Sequence, residues 1–222
     1  MSARILGHGV YTFGEAARLT RLNTRRIRSW FNERTPVSQI GVVFHGDYPS
    51  RNSLSFLDLI EVLVAGNLRE QGVSLISIRK VHCILSEQLQ TPHPFCHHEL
   101  LTDGQSVFVT TAADADEPEM VEILKQQRVF PKVLLPYLKR VDYDKVSQLA
   151  KEWNIADGIV IDPSRRFGKP LVATCGIPSS ILASAYHANQ NNAELVAAWY
   201  GIPPQDVRIA VDFQSRYFGN AA

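Results

Sequence analysis

Residues 12–31, TFGEAARLTRLNTRRIRSWF, decide how the rest of the chain is read. Thr12 with Glu15 three residues later has the pattern of a capping box, so a helix is predicted to start there. Phe13, Ala16, Ala17 and Leu19 give it an apolar side. Thr20-Arg21-Leu22-Asn23 reads as a turn, and Asn23 or Thr24 offers an oxygen to the free N–H groups of a second helix. In that second helix Ile27, Trp30 and Phe31 fall at i, i+3 and i+4 and face inward. Arg25, Arg28, Ser29 and Asn32 share the opposite side, with Arg26 at its flank. Two short helices joined by a tight turn, the second with an arginine-rich face, form the layout that seats a helix in a DNA major groove.

Charge is distributed in the same sense. Residues 1–51 hold eight arginines against three acids, a net +5, while the other 171 residues hold 15 bases against 19 acids, a net −4. The overall charge of +1 therefore conceals a cationic head on a near-neutral body, the electrostatic footprint of a polyanion-binding module. The DNA-facing set expected from this stretch is Arg18, Arg21, Thr24, Arg25, Arg26, Arg28, Ser29 and Arg34. Phosphate is the first partner expected for each arginine, because about half to two-thirds of protein–DNA hydrogen bonds go to the backbone. Trp30 is expected in the core.

With 45% hydrophobic and 20% charged residues, the 222-residue chain can bury a core, and it has room for one large or two small domains. No apolar run approaches the roughly 18 residues of a membrane span, and the N-terminus lacks a secretory apolar region. A membrane partner is not expected, and a cytoplasmic location is. Three cysteines, Cys83, Cys96 and Cys175, imply no disulfide framework.

Downstream, Gly41 to Tyr48 alternates weakly around Gly46-Asp47 and is read as a small β-wing beside the groove. Residues 54–71 and 74–90 read as helices. Leu57, Ile60, Leu63 and Val64 stripe the first; Ile76 or Ile78, Val81, Ile84 and Leu85 stripe the second. Asp103-Gly104 between Leu100-Leu101 and Val107-Phe108-Val109 predicts a β-hairpin. Residues 118–128 predict a helix, and Val146, Leu149, Ala150 and Trp153 predict another.

The stretch from Tyr11 to Trp30, continued by Leu54–Ile60 and Gly72–Arg79, resembles the winged helix-turn-helix of the MerR family over roughly residues 10–90. The resemblance implies DNA binding, and for some regulators of this type a sensed ligand. His82, Cys83, His93, Cys96, His97 and His98 lie within 17 residues and offer borderline or soft ligands. Their spacing matches no standard zinc module. A metal site at Cys83, His93, Cys96, His97 and His98 is kept as the alternative reading; no cofactor is expected under the main one.

In the C-terminal third, Ile159–Val172 reads as a strand and a turn-rich connector, with Gly168 suited to positive φ and Pro170 unable to donate to a ladder. Helices are predicted from Pro178 to about His187, from Asn191 as cap through Tyr200 to a stop at Gly201, and from Pro203-Pro204 onward. Leu195, Val196, Trp199 and Tyr200 are the apolar residues of the middle helix; Val207, Ala210 and Val211 are those of the last. Residues 213–222 are read as an arm or tail with exposed aromatics.

Ile161-Asp162-Pro163, Phe167-Gly168-Lys169-Pro170, Ile177-Pro178 and the helix pair through Tyr200 and Asp206-Val207 resemble domain of unknown function 433, a three-helix family frequent in antitoxins. A MerR-like head on such a tail is similar to the VapB-like antitoxins. The fold class expected is therefore mainly α with small β elements, in three parts: a winged helix-turn-helix over 1–95, a connecting hairpin and helices over 96–156, and a three-helix domain over 157–222. The resemblance implies a type II antitoxin that is not an enzyme. It would bind and block a PIN-like ribonuclease toxin and, as a homodimer, repress the shared operon at a DNA operator. Such a nuclease holds divalent metal on clustered carboxylates, which cationic side chains can pair. Arg165, Arg166, Lys169, Arg208 and Arg216 are the candidates for that contact. The alternative is a MerR-type transcription regulator sensing a metal or small molecule.

Overall fold

The computed structural model describes residues 7–31, 42–48, 52–118, 120–121 and 134–219. It is mainly helical with small antiparallel β elements, as expected. The chain divides into two compact units, one of Val10–Lys151 and one of Glu152–Ala222 together with Met1–Gly9.

The first unit begins with β1 (Tyr11–Thr12), α1 (Phe13–Thr20) and α2 (Thr24–Phe31). The capping box forms: Thr12 Oγ1 accepts from the Glu15 N–H at 3.1 Å, and Glu15 Oε2 accepts from the Thr12 N–H at 2.8 Å. α1 stops at Arg21, which turns into the left-handed region (φ 59°), and the Leu22 N–H closes back on the Ala17 carbonyl at 3.0 Å. Asn23 Oδ1 then accepts from the N–H groups of Arg25 (2.9 Å) and Arg26 (3.4 Å), which starts α2. β1 pairs antiparallel with β2 (Ser53–Leu54), Tyr11 opposite Leu54.

Two longer helices form the base, α3 (Phe56–Glu70) and α4 (Leu75–Gln88). α3 is buried from Leu59 through Leu68, so it is the central pillar of the unit. A second capping box starts it: Ser55 Oγ accepts from the Asp58 N–H at 3.0 Å, and Asp58 Oδ2 accepts from the Ser55 N–H at 2.9 Å. Gly66 is the close-approach point for the turn of the helix pair, because a Cβ there would overlap the Leu22 side chain. Of the two alternatives for the α4 stripe, Ile78 is buried and Ile76 is exposed.

Three expectations fail in this unit. Residues 42–48 form no strand; Val42, Val43, Phe44 and Tyr48 are buried instead of alternating outward, so the wing reading is wrong for these residues, and Gly41 lies outside the described residues. The Asp103-Gly104 hairpin does not exist. Its two predicted strands belong to α5 (Glu99–Asp114), with Asp103 absorbing a kink (φ −136°, ψ 27°). Leu100, Phe108 and Ala112 all enter the core from that helix, and core packing outweighs the local turn preference of Asp-Gly. The helix expected through Val146 and Trp153 is also absent. α6 (Leu135–Leu138) leads to β3 (Val141–Tyr143), and β4 (Ala150–Ala156) follows a turn. Asp144 makes that turn by accepting from the N–H groups of Val146 (3.0 Å) and Ser147 (2.8 Å), and Val146 is left 92% exposed. The helix expected over 118–128 falls largely outside the described residues.

The second unit is a small meander under three helices. β4 pairs with β5 (Ile159–Ile161), Trp153 opposite Ile161, and β5 pairs with β6 (Leu171–Val172), both antiparallel. α7 (Ser179–Ala188), α8 (Ala193–Tyr200) and α9 (Pro204–Phe218) follow. α9 packs on α7, α8 and the strands through Val207, Ala210 and Phe213. Asn192, not Asn191, caps α8 by accepting from the Leu195 N–H at 2.9 Å; Asn191 is instead left-handed (φ 59°) in the preceding turn. Gly201 stops α8 in the left-handed region, as expected. Residues 213–218 are not a free arm, because α9 continues through them and Phe213 is buried with Tyr217 stacked on it at 4.6 Å.

Candidate functional site

The α1–α2 pair presents its cations outward. Ile27 and Trp30 are fully buried and Phe31 nearly so, which turns the side chains of Arg25, Arg26 and Arg28 into solvent. Arg28 lays its guanidinium over the Phe13 ring, 5.3 Å from the centroid, so this charge is held in place by a cation–π contact. Ser29 is half-buried and donates to the Arg26 carbonyl at 2.7 Å, and Thr24 is half-buried at the helix start. Arg18 and Arg21 are exposed on α1 and its cap. Arg34 lies outside the described residues.

What holds α2 from behind was not legible in its own sequence. The Trp30 carbonyl accepts from the N–H groups of Val43 (2.9 Å) and Phe44 (3.2 Å), so the 42–48 segment caps the end of α2. Phe44 is the hub. Its ring meets Phe31 at 5.5 Å, Trp30 at 6.2 Å, His82 at 5.1 Å and Phe95 at 6.3 Å. Pairs in this tilted and edge-on range contribute about 0.5–1.5 kcal/mol each beyond area burial.

Behind Phe44 is a buried ionic layer. His82 Nε2 and Glu61 Oε2 stand 2.9 Å apart, out of line for a hydrogen bond, so charge rather than hydrogen bonding joins them. Burial opposes protonation of His82, but Glu61, helped by the neighbouring Cys83 thiol, overcomes it and holds the ring at about 9. Glu61 Oε1 accepts from the Phe95 N–H at 3.0 Å. His93 Nε2 meets Asp47 Oδ1 at 3.0 Å. Burial first, and Asp47 beside it, push Asp58 up to about 6, against the lowering effect of the Ser55 N–H.

The five-residue metal set of the alternative reading is not assembled among the described residues. Cys83 is exposed, and Cys96 is buried with its thiol donating to the Leu57 carbonyl at 3.2 Å. His97 Nδ1 accepts from the Glu99 N–H at 3.3 Å, and His98 packs edge-on against Tyr143 at 5.0 Å. Only His93 of that set joins a cluster that could ligate, with Asp47 and Asp58. Neither acid was singled out from the sequence as a ligand.

In the second unit the connector is the distinctive element. Arg166 (φ 49°), Phe167 (φ 59°) and Gly168 (φ 78°) are consecutive left-handed residues. Two of them bear side chains for which that region is unfavourable. The result is display: Phe167 is 57% exposed, and it lines a groove of about 390 Å³ with Arg166, Lys169, Ile177, Pro178, Ile181 and Tyr200. Trp199 is 60% exposed; Leu195 and Tyr200 are partly exposed, while Val196 and Ala197 supply the buried side of α8. Arg165 is exposed and lies against Gly176, Arg208 pairs with Glu194, and Arg216 is exposed on the last turns of α9. Of the five cations expected to meet a protein partner, the structure brings Arg166 and Lys169 together at the groove. Asp206, buried in the first turn of α9, accepts from the Thr174 hydroxyl at 2.6 Å and ties down the loop beside the strands.

Among the described residues no helix is long and apolar enough to cross a membrane. Neither a family model nor a curated protein matches the chain. Among solved structures it is similar to Rv2018 from Mycobacterium tuberculosis, at 21% identity, with a TM-score of 0.71, over 91% of this chain and 97% of that one. At that identity the likeness establishes a shared fold, and the two-part arrangement of helices and small strands described above is that fold.

Proposed function

We propose that the chain is a DNA-binding antitoxin that uses α1–α2 on an operator as a homodimer and the groove of the second unit on a PIN-like ribonuclease toxin. The observation that supports this most is the display of Phe167 between Arg166 and Lys169 on backbone that disfavours side chains. Backbone strain of about 1–3 kcal/mol per residue persists where the surrounding structure imposes it, and such sites cluster at ligand contacts. An exposed aromatic with cations at the rim has the composition of a protein interface, where aromatic and arginine anchors dominate. Guanidinium groups also suit the clustered carboxylates of a metal-dependent nuclease, which they can pair in a fork geometry. The exposed arginines of α2 supply the phosphate-facing side.

The test is co-expression with a PIN-like ribonuclease encoded beside this chain. Rescue of growth and co-purification are expected, and both should fail for a Phe167→Asp/Tyr200→Asp variant that keeps the native circular dichroism. A fully folded variant that still rescues growth would refute the assigned surface. The metal-sensing regulator is the less favoured reading, since its five-residue ligand set does not converge.

A further inference from the structure

We propose that Asp47, Asp58 and His93 form a binding site for a divalent first-row transition metal, and that the ion clips the 42–48 segment to the base of α3. One oxygen of each carboxylate and one ring nitrogen of His93 all lie within 4.8 Å of one another. The three come from separate parts of the chain: the segment that caps α2, the first turn of α3, and the approach to the turn at Pro94–Cys96. Ligands about 2.1 Å from zinc in a tetrahedron stand about 3.4 Å apart, so the wider pairs close by at most roughly an ångström and a half, while His93 and Asp47, 3.0 Å apart, open slightly.

The site is preorganised on its inner side and reachable on its outer one. Asp58 is 1% exposed and His93 is 4% exposed. The Asp58 carboxylate is aimed by two backbone donors, Ser55 N–H at 2.9 Å and Asp47 N–H at 3.3 Å. Backbone support of this kind orients ligands and fixes which oxygen stays available. Asp47 keeps 32% of its side chain exposed, which provides an entry path and room for water ligands. A further carboxylate deepens the negative field: Glu61 acts on His93, and its Oε2 is buried without a hydrogen bond. Two carboxylates brought this close concentrate like charge at one point, which a dication offsets.

Ligand chemistry selects the metal class. Two carboxylates and one imidazole suit Zn²⁺ or Mn²⁺ and do not suit a soft ion. The nearby Cys96 thiol does not change this, because burial keeps it protonated and it already donates to a carbonyl.

The experiment is calorimetric titration of Mn²⁺ and, separately, Zn²⁺ into chelator-treated full-length protein with Cys83→Ser and Cys175→Ser, which removes the accessible thiols. One ion per chain is expected, with a rise in melting temperature. Asp58→Asn and His93→Gln should each weaken binding by more than about 100-fold, beyond the 10–100-fold that losing an outer-shell partner brings. The Asp58→Asn substitution retains an acceptor oxygen to cap α3, so this variant should fold. Should either buried variant lose its native circular dichroism, Asp47→Asn, on the more exposed ligand, decides the matter. Absence of saturable binding, or binding that survives these substitutions in folded protein, overturns the site. No DNA or toxin enters the assay, so its outcome is independent of the antitoxin reading.

Discussion

Replacing His82 by Leu strands Glu61 in the core beneath Phe44. The magnitude follows from the pair itself. His82 titrates at about 9 in the folded state because burial, which favours the neutral ring, is outweighed by Glu61 2.9 Å away, with a further contribution from the Cys83 thiol. Against the ordinary histidine value of 6.5, that preference for the protonated ring is worth roughly 3 kcal/mol. The folded value is raised, so this stability is fully present below pH 6.5 and is lost as pH rises through about 9. Removing one member of a buried pair costs about 3–5 kcal/mol, in the same range. His82→Leu should therefore lose roughly 3 kcal/mol in urea unfolding at pH 6, read by far-ultraviolet circular dichroism in chelator-containing buffer. The gap to the parent should narrow towards pH 10. The double variant Glu61→Gln/His82→Leu should recover most of the loss, since no charge is then left unpaired. A gap that stays constant across that pH range would refute the account, as would a single variant as stable as the parent at pH 6.

Three other outcomes follow from the fold and the cationic face. Arg25→Ala with Arg28→Ala should weaken operator binding and flatten its salt dependence, by about 0.9 in log–log slope for each phosphate no longer neutralised, measured by fluorescence anisotropy; an unchanged slope would remove these residues from the interface. Gly66→Ala adds about 1 kcal/mol of helix propensity but meets Leu22, so it should be more favourable in a Leu22→Ala background than in the parent, in a double-variant cycle of unfolding energies; equal effects in both would refute the close approach. Thr12→Ala breaks the capping box of α1 and should cost about 1 kcal/mol in the same assay, without changing the unfolding slope.

The helix-turn-helix was legible because its signals are local. Thr12-x-x-Glu15, the Asn23 cap and the Ile27/Trp30/Phe31 stripe each act within four residues, and each formed. Asp103-Gly104 and the Val146–Trp153 stripe misled for different reasons: the first is a local turn pattern overruled by core packing, the second a short helical period overruled by a turn within it. Phe108 and Leu100 draw the first into a helix, and the Asp144 turn starts a strand whose inward residues, Trp153 and Ile155, follow a period of two. The exposed arginines could be named from spacing alone. The ionic layer could not, because Asp47, Glu61, His82 and His93 meet only after four segments have packed. Histidine crowding drew attention to the right stretch, but chain proximity at 93–98 does not make a ligand set. Trp199 and Tyr200 stay at the surface because a three-helix domain has too little interior for every apolar residue, and Val196 and Ala197 take the available space.

The left-handed run at 166–168 implies a trade between the folding of the isolated chain and what the connector is shaped to hold. Exchanging Phe167 for glycine would relax the backbone and make the solitary polypeptide sturdier, yet it would erase the ring that the loop displays. Under the proposed toxin contact, engineering for shelf life finds its easiest gain at the residue that contact needs, and a thermostability screen run without the partner selects chains that no longer bind.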